Sequence, residues 1–131
     1  MKRIILKVLS IFSIRMETNF LGSKYGGWYF VDRQSLNNSL VISCGVGTDI
    51  SFDIELMQKY QTKTLFIDPT PEAISHMNSV MNSLGSIKKE SYNQHGKQNI
   101  ASYNLSNLDI NNFFLEDRAI YHTNKIGRAH V

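Results

Sequence analysis

The chain has 131 residues, 42% hydrophobic and 19% charged, an ordinary globular balance that bounds it to one domain at most. Its net charge of +3 sits at the ends: Lys2, Arg3, Lys7, Arg15, Lys125 and Arg128 leave 8 basic against 11 acidic residues over 16–124, so no nucleic-acid footprint is expected on the body. Cys44 is the single cysteine and the four histidines are scattered, which excludes an internal disulfide, offers no metal-ligand spacing and points to a reducing, cytoplasmic setting.

Residues 1–19 read as an N-terminal extension. The apolar run Ile4–Ile14 is interrupted by Lys7 and is too short to span a bilayer. No small-residue cleavage site follows it before Arg15-Met16-Glu17. A helix or strand lying on the domain is expected, with a basic amphipathic helix in weak contact with a membrane surface as the alternative. Gly22–Tyr29 is a glycine-and-aromatic turn. Gly26 and Gly27 allow positive φ or close backbone approach, and Tyr25, Trp28 and Tyr29 supply flat surface. Two uses stand open for it: a hairpin or loop covering the core, or a loop facing a cofactor or substrate. Val31–Asn38 is polar and turn-like.

Leu40–Cys44 is nearly continuously apolar, as in a parallel strand buried on both faces. A helix follows from about Ser51 to Tyr60, with Asp49 or Ser51 as N-cap. Phe52, Leu56 and Tyr60, with Met57 beside them, make its buried stripe, and Asp53, Gln58 and Lys59 face away. Thr64–Asp68 is the second strand, which completes a right-handed βαβ unit. Pro71 opens a second helix whose stripe Ile74, Met77, Val80, Met81 and Leu84 reads as core, with Gly85 as C-cap. Ser86–Gln98 is a polar loop, Ile100–Leu105 a weak short strand, and Phe113–Tyr121 a third strand of the sheet. Ile126–Val131 matches one reading frame of a widely used sequencing-library adapter. Residues 125–131 are therefore set aside, and 20–124 are expected to be the N-terminal half of a longer domain.

The chemistry concentrates in Gly45-Val46-Gly47, between the first strand and its helix, and in Asp68, 23 residues after Gly45. Such a turn holds either NAD(P) or S-adenosylmethionine. The dinucleotide fingerprint asks for a third glycine where Ile50 stands, and a pyrophosphate needs positive potential where Asp49 and Asp53 stand. Each carboxylate opposes it by about 1 kcal/mol or more in a partly desolvated site. S-adenosylmethionine carries an ammonium, a sulfonium and a carboxylate but no phosphate, so an acidic rim suits it. Asp68 is placed to accept hydrogen bonds from ribose hydroxyls of either cofactor, or else is a strand-end aspartate of a proline turn.

The run from Val41 to Asp53, then Phe66-Ile67-Asp68-Pro69-Thr70-Pro71, preceded by Gly22–Trp28, resembles the FkbM-type branch of the class I methyltransferases. The likeness covers roughly residues 20–84. It implies a Rossmann-like α/β domain, here truncated to about three strands of a mostly parallel sheet. It implies transfer of a methyl group from S-adenosylmethionine, typically to a hydroxyl of a small molecule or sugar. On this resemblance Gly45, Val46 and Gly47 pass under the methionine part, with Cys44 just before them. Asp68 holds the ribose with Pro69 beside it, and Asp49 and Ser51 border the amino-acid end. Two departures stand out: Ser43 replaces an acid and Asp49 a glycine of the broader class. The general base for the acceptor is expected beyond Asn124, so no catalytic residue is assigned. Cys44 reads as packing at a buried strand end, and His76 as a surface or satisfied histidine. The competing readings are an NAD(P)-dependent oxidoreductase or epimerase and a non-catalytic nucleotide-binding module.

Overall fold

A computed structural model describes residues 16–120 and the backbone of 126–128. The helix, strand or membrane-surface roles expected of the N-terminal apolar run lie outside the described residues. The chain opens with β1 (Thr18–Leu21) and β2 (Trp28–Val31), an antiparallel hairpin with Leu21 opposite Trp28. The hairpin thus begins inside the stretch read as an extension. Its turn needs glycine for room, since a Cβ on Gly27 would stand 2.4 Å from the carbonyl oxygen of Ser23.

Three parallel strands form the central sheet: β3 (Leu40–Cys44), β4 (Lys63–Ile67) and β5 (Phe113–Glu116), in the order β3-β4-β5. Between them run α1 (Ser51–Tyr60) and α2 (Pro71–Met81). The architecture is mixed α/β. The register sets Ser43 opposite Phe66 and Phe66 opposite Leu115, so these side chains share one face. Ile54 and Met57 of α1, Met77 and Val80 of α2, and Phe66 and Phe113 of the sheet meet there in a single core, with Val46, Ile50, Tyr103 and Leu105. Both helices therefore lie against the same face. On the other, Leu40 and Ile42 are 65% and 60% exposed, so β3 is covered on one face only among the described residues, against the expectation of burial on both.

In the first helix the expected Leu56, Met57 and Tyr60 are buried, Phe52 is half-buried, and Ile54 joins them. Ile54 and Met57 point into the core, while Phe52 and Tyr60 meet Phe30 of the hairpin edge-on at 6.0 Å between ring centroids. With partners on two sides, α1 has little outward surface, and Asp53, expected to face away, is buried. Its N-cap is Ile50, whose side chain makes no cap bond; Asp49 accepts from the Ser51 N–H instead. Lys59 and Tyr60 both donate to Asp32 at the end of the hairpin.

The remaining elements depart from expectation in local ways. α2 ends at Met81 with Asn82 as C-cap, and Gly85 (φ +88°) closes the turns beyond, where its N–H donates to the Leu105 carbonyl. Ile100–Ser102 is a 3-10 turn, not a strand, because Asn99 draws the Ser102 N–H and hydroxyl into local hydrogen bonds. The predicted third strand divides at its charged middle: β5 ends at Glu116, and β6 (Arg118–Ile120) pairs antiparallel with β7 (Ile126–Arg128). Those last three residues belong to the stretch the sequence reading set aside. No helix is long and apolar enough to cross a membrane among the described residues.

Candidate cofactor cleft

The ladder between β3 and β4 runs one residue past the strand, with the Gly45 N–H donating to the Ile67 carbonyl at 2.9 Å. There the chain must leave the sheet and enter α1. It does so through Gly45 at φ +69° and Gly47 at φ +59°, both in the left-handed region, with nothing within 4 Å of where a Cβ would stand. Glycine is thus required for conformation, and the side facing away from the protein is left open. The Gly47 N–H is held by Asp68 Oδ2 at 2.9 Å, while Oδ1 accepts from the Thr70 N–H (2.9 Å) and hydroxyl (2.7 Å). Burial alone would raise the Asp68 pKa, but the Thr70 hydroxyl and the N–H groups of Gly47, Thr70 and Val46 outweigh it and hold the carboxyl below its ordinary value.

Over this loop lies a cleft of about 780 Å³. Tyr25, Gly26 and Trp28 from the hairpin form one wall, Val41–Thr48 the base, and Asp49, Phe52, Asp53, Gly96 and Lys97 complete it. Asp49 is the hub that joins these segments. Its Oδ2 accepts from the Ser23 hydroxyl at 2.6 Å and from Gln98 Nε2 at 2.9 Å, and its Oδ1 from the Ser51 N–H at 3.1 Å. The Ser23 hydroxyl in turn accepts from the N–H groups of Tyr25 and Gly26. Asp53 lies deeper, 9% exposed. Burial pushes its carboxyl up to about 6; the Ser43 hydroxyl and its own backbone N–H partly offset this, and the charge of Asp49 adds to it.

The structure brings Cys44, Gly45, Val46, Gly47 and Asp49, all named from the sequence, together on the cleft. Cys44 is exposed, not buried, because β3 turns this face to solvent. Ser51 and Asp68 stand behind the loop: Ser51 is fully buried and its hydroxyl accepts from the Ser23 N–H at 2.7 Å, and Asp68 is 5% exposed. Pro69 follows, partly buried, outside the cleft lining. Asp53, Lys97 and Gln98 were missed as site residues. Asp53 was assigned to the outer face of the helix, and nothing in the polar stretch Ser86–Gln98 marks Gln98 as a partner of Asp49.

A second hollow, about 790 Å³, lies between α2 and the segment Lys97–Ile100. His76 lines it, buried, with Nε2 2.9 Å from the Tyr103 hydroxyl. That hydroxyl also accepts from the Ile50 N–H, so Tyr103 ties His76 to the start of α1. Burial, then the charge of Lys97, keeps His76 below its ordinary pKa. His76 is thus satisfied and internal, not on the surface. Among the described residues no group of three or more His, Cys, Asp and Glu side chains is placed to hold a metal ion. Searches against protein-family models, curated proteins and solved structures returned no match to this chain.

Proposed function

We propose that the chain carries the cofactor-binding part of a class I, Rossmann-like methyltransferase that uses S-adenosylmethionine and methylates a hydroxyl of a small molecule or sugar. One observation carries the reading: the open two-glycine loop faces a cleft lined, among the described residues, by two carboxylates, Asp49 and Asp53, against one cation, Lys97. A pyrophosphate laid on this loop meets like charge in a half-enclosed site; a ligand with sulfonium and ammonium groups meets opposite charge. When bound, S-adenosylmethionine supplies an activated methyl group on a cationic sulfur. The chain's own part is to hold and orient it. The backbone of Gly45–Gly47 permits close approach, Trp28 and Tyr25 offer flat apolar faces, and Asp68, buried behind the loop, anchors it through Gly47.

Titration calorimetry on the 131-residue chain with S-adenosylhomocysteine and with NAD tests this. Binding of the first and not the second is expected. Binding of NAD alone overturns the reading in favour of an oxidoreductase or epimerase, and binding of neither points to a module without this cofactor.

A further inference from the structure

We infer that Asp53 is the seat of a primary ammonium group, so that the cleft selects ligands with a free α-amino group. This rests on the cofactor reading above and adds to it a residue and a specificity. Asp53 lines the cleft beside Ser43 and Gly45, and its side chain is nine-tenths buried. Among the described residues the ion pairs are Lys59 with Asp32 and Arg118 with Glu116, so Asp53 has no cationic partner there. Its hydrogen-bonding side-chain neighbour, Ser43, is neutral.

The other carboxylate of the cleft, Asp49, already accepts from Ser23, Gln98 and Ser51. Asp53 is therefore the carboxylate with acceptor capacity to spare. A buried carboxylate without a cation is unfavourable, and removal of water by a ligand makes it more so unless the ligand brings the charge. An anionic group set against Asp53 itself meets like charge from Asp53 and Asp49. A sulfonium offers charge but no N–H. A primary ammonium offers both, with three donors that a carboxylate and the Ser43 hydroxyl can share.

The test compares two ligands that differ by the amino-acid end, S-adenosylhomocysteine and 5′-methylthioadenosine, on the wild-type 131-residue chain and its Asp53→Asn and Asp53→Glu variants. Asp53→Asn is expected to weaken S-adenosylhomocysteine by roughly 10- to 100-fold, the worth of a charge-assisted hydrogen bond, and to leave methylthioadenosine within about twofold on the same scale. Asp53→Glu, which keeps the charge, is expected to recover part of the loss. In the wild type, lowering the pH toward 5 weakens the first ligand more than the second. Tyr25, Cys44, Asp49 and Lys97 of the cleft and the Tyr103 hydroxyl at the Ile50 N–H are common to the wild type and Asp53→Asn, so the pH effect that this variant loses belongs to Asp53. Equal weakening of both ligands by Asp53→Asn, or no weakening, overturns the inference. So does a wild type that binds methylthioadenosine as tightly as S-adenosylhomocysteine, which leaves the cofactor reading standing. A wild type that binds neither removes both.

Discussion

Asp53 and Asp68 are buried carboxylates at the two ends of one loop region, and their surroundings drive them in opposite directions. Asp68 receives backbone N–H groups and a hydroxyl that outweigh its burial, whereas burial prevails at Asp53. For Asp53 the folded state binds more protons than the unfolded one between the ordinary value of 3.8 and about 6, so stability falls as pH rises through that window. The difference corresponds to up to about 3 kcal/mol at neutral pH. Asp53→Asn is thus expected to raise the melting temperature at pH 7 and to lose that advantage near pH 4, as read by calorimetry at both pH values. Asp68 behaves in the reverse sense: its contribution is present above the ordinary carboxylate value and is lost as pH falls through its lowered one. Asp68→Asn leaves one oxygen for both Gly47 and Thr70, and a loss of about 1–3 kcal/mol in urea unfolding is expected. The glycine loop and Asp68 were legible because φ constraints and strand ends are local; Asp53 was not, because its burial comes from segments that meet it only in the fold.

Helix α1 is the element on which everything else bears. It has an apolar side toward the sheet, through Ile50, Ile54 and Met57, and another toward the hairpin, through Phe52 and Tyr60. A 3.6-residue period predicts the helix and its bounds with ease. It does not rank two apolar sides, so Phe52 and Tyr60, which meet the hairpin, were read in one stripe with Met57, and Ile54 of the core was left out. Met57→Ala is expected to lower unfolding stability by about 2–5 kcal/mol, as for other fully buried large-to-small changes. Phe30→Ala is expected to spare the core but loosen the hairpin, seen as increased quenching of the single tryptophan, Trp28, by acrylamide. Tyr103→Phe strips the Ile50 N–H of its acceptor and His76 of its hydrogen-bond partner, and a cost of about 1–3 kcal/mol is expected in the same unfolding measurement.

At the scale of the molecule, two helices cover one face of three strands and, among the described residues, the other face displays Leu40, Ile42 and Phe114. Among the described residues the outer edge of β3 has no strand beside it in this sheet. An open apolar face next to an unpaired edge favours association. The purified chain is expected to bind the dye anilinonaphthalene sulfonate and to elute above its monomer size, and Leu40→Thr with Ile42→Thr to reduce both; a dye-silent monomer contradicts this.

The sequence by itself determined the strand–glycine loop–helix unit, the parallel partner strand ending at Asp68 and the acidic character of the loop, because each is written in periodicity, backbone restriction or charge over a few neighbouring residues. The tertiary structure alone decided that Asp49 is consumed by Ser23 and Gln98, 26 and 49 residues away, and that the sheet is covered on one face. It alone left Asp53 buried with no ion-pair partner among the described residues. Burial and hydrogen-bond partnership are set by which distant segments pack together, and no local pattern encodes that.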